Sequence, residues 1–342
     1  MKKRISLLLS VIMLLTLVAG CGSAEDGKIT IPDSLRGKTL TITSGWGAGS
    51  LAIMARSLQQ IIKERHDIDI VVEIKEGAAG SVAMMDILNG PKDGARITCG
   101  GPNTFIFMND GSLPTEISDY TFVSTTIREN RVCLVRPDYP ITNVAEFIDL
   151  LKNGPDAPYR IGSTSAGGVG EAAPLSVIAA LGLDSSRAVT VPFPSTDRSL
   201  AELLGGNVDF IMPKFSDVPG QLAAGEVRPL FSQSAEKLTD YPGMEFYPDL
   251  ETFCDTEYWG DRLNFGDTRY LVQLMVGPAG MPPETVEFWA ALLKDALESD
   301  TWQEHCRKAA LITDPILSGP ELVEFAHELR EAYGAMVETY YR

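Results

Sequence analysis

Cysteine and histidine, the residues that most often hold metal ions, are scarce in this sequence. The 342 residues include five cysteines and three histidines. The four cysteines that follow Cys21 are widely spaced and form no C-x-x-C pair, which argues against a zinc site. In an exported chain they could form disulfides in any of three pairings or remain free buried thiols, and the sequence leaves both open. We therefore expect neither a metal nor another cofactor. The four are Cys99, Cys133, Cys254 and Cys306.

Recognisable catalytic patterns are also missing. Ser50, Ser163 and Ser165 could be imagined as nucleophiles, but no G-x-S-x-G turn surrounds any of them. The glycine-rich segments lack the lysine of a P-loop and the G-x-G-x-x-G spacing of a dinucleotide site. No histidine has a partner visible in the sequence, and we interpret His66, in the charged run KERHD, as a solvated surface residue. We therefore expect no enzyme activity.

Basic residues are far fewer than acidic residues. The chain has 29 lysines and arginines against 46 aspartates and glutamates, which gives a formal net charge of −17. An acidic surface repels nucleic acid and anionic lipid, so we expect no nucleic-acid partner. Any anion that the protein binds must therefore be held by a local arrangement of donors.

The apolar run at the N-terminus is shorter than a transmembrane helix usually requires. It extends from Ile5 to Gly20 and follows three basic residues, an order typical of a secretory signal. Its ending, VAGC, resembles the lipobox at which bacterial lipoproteins are cleaved and lipidated. We expect residues 1–20 to be a signal peptide and lipidated Cys21 to anchor the mature chain outside the cytoplasmic membrane. An ordinary signal peptide with an incidental cysteine is the alternative.

Strand and helix patterns alternate along the rest of the chain. KTLTITSG predicts a strand that leads through a glycine-rich loop into a helix, and the strand patterns IDIVVEIKEG and ARITCGG follow. A second series of the same kind includes the strand patterns YRIGSTS and AVTVPF. This alternation predicts largely parallel sheets. We also expect capping pairs at Asn143 with Glu146 and at Ser318 with Glu321.

The order of these elements predicts an α/β fold of two lobes, with one lobe inserted into the other. Lobe 1 is expected to comprise residues 21–128 and 229–342, and lobe 2 residues 129–228. Two crossing segments would join the lobes as a hinge and leave a cleft between them. Ligands of open α/β sheets bind outside the carboxyl ends of the strands, so we expect the site in this cleft.

Loops rich in small residues follow the predicted strands at corresponding places in the two lobes. Residues 45–50 and 163–170 would let a ligand approach the backbone, and free N–H groups at the following helix suit an oxyanion. For any single loop, a tight turn whose glycines serve only its geometry is the alternative. The candidate ligand-binding residues are Gly45, Trp46, Gly47, Ala48, Gly49, Ser50, Asn103, Thr104, Ser163, Thr164, Ser165, Gly167, Gly168, Val169, Gly170, Phe193 and Lys214.

Two of these side chains allow two interpretations each. Trp46 could fill part of the core or form an aromatic wall over an apolar part of the ligand. Lys214 could be a solvated loop residue, or it could point into the cleft and neutralise a second carboxylate.

Three segments, TSGWGAGSLAIMAR, VVEIKEGAAGSVAMMDI and DGARITCG, resemble the opening of the substrate-binding proteins of tripartite tricarboxylate transporters, also called Bug receptors. The resemblance continues in order through RPDYPITNVAEFIDLLKNGP, YRIGSTSAGGVG, VPFPSTDRSLAELLGGNVDF, AAGEVRPL and VGPAGMPPETVEFW, over nearly the whole mature chain. Trp46, Ala52, Pro174 and Phe193 depart from the proline, aspartate, histidine and tyrosine that are common in the family.

The resemblance implies a two-lobed periplasmic-binding-protein fold of type II (Venus-flytrap) that closes on a di- or tricarboxylate or a related small organic anion. It matches Gly49 and Arg56 to the family's first loop, and Gly162, Ser163 and Gly170 to its second. It also implies delivery of the ligand to the membrane permease subunits of a tripartite tricarboxylate transporter. We therefore expect a monomeric, extracytoplasmic solute-binding lipoprotein. A sensory protein that signals to a membrane sensor kinase is the alternative from another class.

Overall fold

The computed structural model describes residues 28–232, apart from Ser165, and residues 271–341, apart from positions 310 and 314. The predicted signal peptide, Cys21 and Cys254 lie outside the described residues, as does Ser165. The described chain forms two five-stranded sheets, each with helices packed against it.

The first sheet has the strand order β2-β1-β3-β10-β4. Strands β1, β2 and β3 run parallel, and β10 runs antiparallel to β3 and β4. Every residue of β1 and β10 is buried, as expected for central strands that are covered on both faces. The strands are β1 (Leu40–Ser44), β2 (Ile70–Ile74), β3 (Arg96–Gly100), β4 (Tyr120–Arg128) and β10 (Val272–Pro278).

Six helices accompany this sheet, and together they form the first unit, which comprises the described residues up to 128 and from 271 onwards. Trp289 and Trp302 are fully buried in its core, and the Trp289 indole N–H donates a hydrogen bond of 2.7 Å to the Gly94 carbonyl. The helices are α1 (Ser50–His66), α2 (Ser81–Leu88), α3 (Pro102–Asp110), α8 (Pro283–Leu297), α9 (Asp300–Ala309) and α10 (Gly319–Tyr340).

The second sheet has the strand order β7-β6-β8-β5-β9. Strands β6, β7 and β8 run parallel, whereas β5 runs antiparallel to β8 and β9. With four helices it forms the second unit, residues 132–232. Its strands are β5 (Val132–Val135), β6 (Tyr159–Thr164), β7 (Ala188–Phe193), β8 (Phe210–Ile211) and β9 (Arg228–Ser232). Its helices are α4 (Val144–Asn153), α5 (Val169–Ala180), α6 (Thr196–Leu204) and α7 (Pro219–Ala223).

Two backbone segments and one helix link the two units. Residues 129–131 connect β4 to β5. The return from β9 to β10 runs through residues 233–270, which lie outside the described residues. Because β9 pairs with β5, the second sheet extends to Ser232 and so includes the start of the segment assigned to lobe 1 from residue 229. The third link is α10, which packs against α3 and β4 of the first unit and against α5 of the second.

Several local predictions can be compared with this fold. The cap at Asn143 is confirmed, since its Oδ1 accepts a hydrogen bond of 2.9 Å from Glu146 N. The capping box at Ser318 is wrong: Ser318 is the N-cap residue of α10, but its side chain makes no capping hydrogen bond. The interpretation of His66 as solvated is also wrong. His66 is buried where α1 packs on α8, and its Nε2 lies 2.7 Å from Asp295 Oδ2.

The described cysteines, Cys99, Cys133 and Cys306, are buried free thiols. Burial raises the pKa of the Cys99 thiol to about 12, so it is protonated and unreactive at neutral pH. Among the helices of the described residues, none combines the length and the apolar character that a membrane span needs.

Candidate ligand-binding site

A cavity of about 390 Å³ lies between the two units, at the carboxyl ends of parallel strands from both sheets. Strands β1 and β3 of the first unit and β6 and β7 of the second each lead into a helix that begins beside it. These helices are α1, α3, α5 and α6. This position is where open α/β sheets usually bind ligands.

The amino end of α1 forms one wall of the cavity. Gly49, the residue before the helix, has φ of 78° and ψ of −173°, a conformation that glycine alone adopts readily. The N–H groups of a first helical turn have no partner within the helix and carry the positive end of its dipole. Segment 46–51 lines the cavity, so this helix end suits a carboxylate or another oxyanion.

The amino end of α6 forms another wall, from the second unit. Ser195 caps the helix, since its Oγ accepts a hydrogen bond of 3.3 Å from Arg198 N. Thr196 Oγ1 donates a bond of 2.8 Å to Asp217 Oδ2, and Ser195, Thr196 and Asp197 line the cavity. None of the three is among the candidate ligand-binding residues named from the sequence, although a serine directly before a helical pattern is a recognisable N-cap signal.

Glu129, in the first link between the units, is the centre of a buried hydrogen-bond network. Its carboxylate accepts bonds of 2.6 Å from Lys214 Nζ, 2.6 Å from Ser216 Oγ and 3.4 Å from Gln273 Nε2. Lys214 Nζ also donates to Ser50 Oγ at 3.1 Å. Since Ser50 and Gln273 belong to the first unit and Lys214 and Ser216 to the second, this network ties the units together beside the cavity.

The charge state of Glu129 follows from this network. Burial would raise the pKa of its carboxyl, but the Lys214 ammonium, together with hydrogen bonds from Lys214 and Ser216, outweighs burial and lowers the pKa. Glu129 is therefore ionised at neutral pH. Lys214 lines the cavity and points inward rather than into solvent, but its charge is already paired within the chain.

Arg131 and Asp217 also line the cavity, and neither is among the candidate residues named from the sequence. Arg131 is 4% exposed, and its guanidinium donates a hydrogen bond of 3.0 Å to the Met212 carbonyl. Burial lowers the pKa of Arg131, against the opposing charges of Asp217 and Glu129. Burial raises the pKa of the Asp217 carboxyl, against the opposing charge of Lys214. The available signal for Arg131 was its place in the predicted crossing, which must border a cleft between lobes.

The candidate residues fall into three groups: those that line this first cavity, those that line a second cavity, and those that line neither. A second cavity of about 720 Å³ adjoins the first, and Trp46 lines both. The Trp46 ring packs over Gly80, where a Cβ atom would lie 2.4 Å from it. Gly45, Gly167 and Phe193 line the second cavity. The candidates that line the first cavity are Trp46, Gly47, Ala48, Gly49, Ser50, Asn103, Thr164, Val169 and Lys214.

The remaining described candidates contact other parts of the protein instead. Thr104 Oγ1 accepts a hydrogen bond of 3.3 Å from Gly101 N at the start of α3. A Cβ atom at Gly170 would lie 2.0 Å from the Thr164 carbonyl oxygen, so glycine there permits α5 to pack on β6. Ser163 is buried, and its hydroxyl has no hydrogen-bond partner among the described residues.

Several backbone groups of the second glycine-rich loop already form hydrogen bonds to other residues of the protein. Gly167 N donates a bond of 2.8 Å to Glu171 Oε2, and Val169 N donates one of 2.9 Å to Asn103 Oδ1. The Gly168 carbonyl accepts a bond of 2.9 Å from the Tyr341 hydroxyl. The bond to Asn103 joins the second unit to the first, directly across the cleft.

The first loop has a similar internal bond. Gly47 N donates to Glu76 Oε1 at 2.7 Å. Arg56, which the resemblance matches to this loop, lies 3.5 Å from the Gly47 carbonyl through its guanidinium. In the part of the chain that the structure describes, no group of three or more histidine, cysteine or acidic side chains is placed to hold a metal ion.

A cavity between two α/β units, walled by the amino ends of helices from both, defines a solute-binding protein of the two-lobed type. The chain matches the model of the tripartite tricarboxylate transporter family receptors over residues 54–330. It therefore belongs to this receptor family, whose members bind solutes and are not enzymes. The resemblance noted in the sequence is thus confirmed.

Among curated proteins, the chain is similar to a UPF0065 protein of Bordetella pertussis, with 24% identity over 219 residues. The match spans 62% of this chain and 66% of that protein, so the chain covers just under two thirds of its relative's length.

Solved structures with the same fold include two from Rhodopseudomonas palustris. Rpa4515, solved with adipate, has a TM-score of 0.74 and 19% identity, covering 89% of this chain and 98% of that one. MatC (Rpa3494), solved with malate, has a TM-score of 0.70 and 19% identity, covering 87% and 98%. The periplasmic binding protein BugD has a TM-score of 0.71 and 19% identity, covering 88% and 97%. The predicted periplasmic-binding-protein fold is thereby confirmed, and an extracytoplasmic location is supported.

Proposed function

We propose that this protein captures a small organic carboxylate in the cavity between its two units and delivers it to the permease subunits of a tripartite tricarboxylate-type transporter. One observation carries the proposal. The amino ends of α1 and α6, which belong to different units, line the same cavity.

The electrostatics of the site support an anionic ligand. The chain as a whole carries a net charge of −17, so its overall field repels anions and the attraction has to be local. Each helix amino end contributes unpaired N–H donors and a favourable dipole, worth about 0.3–1 kcal/mol for an exposed charge and up to about 2 kcal/mol when partly buried. Two such ends on one cavity can hold a carboxylate from either unit.

The size of the site and the solved relatives support the same class of ligand. The cavity of about 390 Å³ is within the usual range for small-molecule sites. Two structures with the same fold contain malate and adipate, both of them short dicarboxylates. A di- or tricarboxylate, or a related small acid, is therefore the ligand that we propose.

Closure of the two units provides the signal for delivery. A ligand that contacts both helix ends binds best when the units are together, so binding shifts the population towards the closed form that a permease can recognise. We further propose that the mature protein is a monomer, anchored outside the cytoplasmic membrane through lipid on Cys21. Labelling cells with a radioactive fatty acid tests the anchor, because the label should be lost in Cys21→Ala.

A thermal-shift screen of the purified protein tests the ligand class. The panel contains malate, adipate, citrate, monocarboxylates, amino acids and neutral sugars. A ligand at one hundred times its Kd should add about 2.7 kcal/mol to the stability of the fold. Shifts confined to carboxylates would support the proposal, and a response to sugars alone would reject it.

The helix end of α1 can be tested by one substitution with a matched control. Gly49→Ala places a Cβ atom at ordinary van der Waals distance, 3.8 Å, from Asp217 Oδ1, but forces alanine into a φ of 78°. We expect the backbone at the start of α1 to shift, and the affinity for carboxylates to fall at least about tenfold. Gly37→Ala is the control, because Gly37 has φ of 73° and open space but lies outside the cavity. Equal affinity in both variants would show that the amino end of α1 does not bind the ligand.

A further inference from the structure

We propose that Arg131 receives a second carboxylate of the ligand, so that the site selects dicarboxylates over monocarboxylates. This inference rests on the proposed function, because it assigns a role to one side chain within the same cavity.

Arg131 is placed by the backbone that links the two units. It directly precedes β5, in the link formed by residues 129–131, and it forms an isolated antiparallel β-bridge with Lys214. Its side chain is almost fully buried, with 4% of the residue exposed, yet it lines the cavity. A side chain at this position can contact a ligand that is held between the units.

Most hydrogen-bond donors of the Arg131 guanidinium have no acceptor among the described residues. A guanidinium carries five N–H donors. Among the described residues, the only acceptor bonded to Arg131 is the Met212 carbonyl, at 3.0 Å. Among the described residues, no carboxylate oxygen lies within 4.0 Å of an Arg131 nitrogen, which is the distance that defines an ion pair. Burying a charge without a partner is unfavourable, so a ligand carboxylate that bonded Arg131 would recover much of that cost.

The neighbouring acidic groups are already bonded to other residues. Glu129 accepts hydrogen bonds from Lys214, Ser216 and Gln273. Asp217, the acid with the largest electrostatic effect on Arg131, accepts a bond from Thr196. Both acids raise the pKa of Arg131 and so favour its charged form, but neither pairs with its N–H groups.

The other cation of the cavity is less suited to the same role. Lys214 Nζ lies 2.6 Å from Glu129 Oε2 and 3.1 Å from Ser50 Oγ, so its charge is neutralised within the chain. Arg131 therefore has the greater capacity for an added anion. An arginine also binds a carboxylate through two parallel N–H bonds, which a lysine cannot do.

The ligand implied by this arrangement carries two anionic groups. One would bind at a helix amino end, where backbone N–H groups donate hydrogen bonds to any oxyanion, whatever the rest of the molecule. The other would bind at Arg131. Loss of the second carboxylate would leave Arg131 buried and unpaired, which is how the site would discriminate against a monocarboxylate.

Calorimetric titration with two matched pairs of acids tests this inference. The probes are malate with 2-hydroxybutyrate and adipate with hexanoate, because the second member of each pair replaces one carboxylate by a methyl group. In Arg131→Met we expect the affinity for malate and adipate to fall at least about 30-fold, and the affinity for the two monocarboxylates to change less than about threefold.

Two further variants complete the design. Arg131→Lys keeps the charge but not the planar fork, so it should retain part of the preference for dicarboxylates, and it decides the question if the methionine variant does not fold. Arg136→Met is the control, since Arg136 also donates to backbone carbonyls, those of Leu203 and Val208, but lies outside the cavity. It should leave the preference unchanged.

The outcomes separate this inference from the proposed function. If the wild type binds carboxylates and both Arg131 variants keep its preference for dicarboxylates, only the role of Arg131 is overturned. Equal losses for both members of each pair would also overturn it, because they indicate a structural role. If the wild type binds no carboxylate at all, the proposed function and this inference both fall.

Discussion

Removing the Glu129 carboxylate should destabilise the protein through its effect on Lys214. In Glu129→Gln, the ammonium of Lys214 loses an oxygen at 2.6 Å while 77% of its side chain stays buried, since 23% is exposed. Breaking a fully buried pair costs about 3–5 kcal/mol, and the partial exposure of Lys214 places this variant at about 2–3 kcal/mol. With an unfolding entropy of about 2.1 cal/mol/K per residue over 342 residues, that lowers the Tm by roughly 3–4 °C.

The test is a double-mutant cycle measured by thermal unfolding at pH 7. Lys214→Met should cost at least as much as Glu129→Gln, because it leaves a carboxylate with a 3% exposed side chain without its cation. The double variant should recover most of the loss, with a coupling of at least about 2 kcal/mol. Additive losses would refute the idea that this pair acts as a unit.

The pH dependence provides a second check on the same pair. The pKa of Glu129 is lowered in the folded protein, so its contribution to stability is complete above its unfolded value and is lost as the pH falls through the folded value. The coupling should therefore fade in acid. The matched control is the surface pair of Lys308 and Glu304, whose side chains are 66% and 45% exposed and whose coupling should be near zero.

Two further predictions concern the same region. Gly170→Ala should lower stability by about 2–3 kcal/mol, because its Cβ atom would lie 2.0 Å from the Thr164 carbonyl oxygen, whereas Gly220→Ala, in open space within α7, should be neutral or stabilising in the same urea titration. Burial raises the pKa of Asp217 in the folded protein, so its ionisation opposes folding as the pH rises above the unfolded value. Asp217→Asn should therefore raise the Tm at pH 7, with a gain that shrinks towards pH 4, and a gain that is constant with pH would contradict this account.

Much of the fold could be predicted because its signals are local. The loop 45–50 stands between a strand pattern and a helical pattern, and the structure has β1 and α1 on either side of it. The cap at Asn143 depends on a residue only three positions away. Local spacing also predicted which loops lie at strand ends, and so which loops border the cleft.

The interactions that determine the chemistry of the site are not local. Glu129 and Lys214 are 85 residues apart, and His66 and Asp295 are 229 apart, so no spacing rule connects them. A single arginine before a strand, as at Arg131, is more often solvated than buried. Its burial depends on how the two sheets pack around the link that contains it, which the sequence pattern does not report.

The position of α10 has a consequence for how the protein is made. Its packing on both units, and the bond from Tyr341 to the Gly168 carbonyl, place residues 319–341 beside a loop that precedes Tyr341 by 173 residues. In a chain that is synthesised from its amino end, the strands of both sheets are complete before this helix emerges. The cleft therefore reaches its final arrangement only after residues 319–341 have packed on both units.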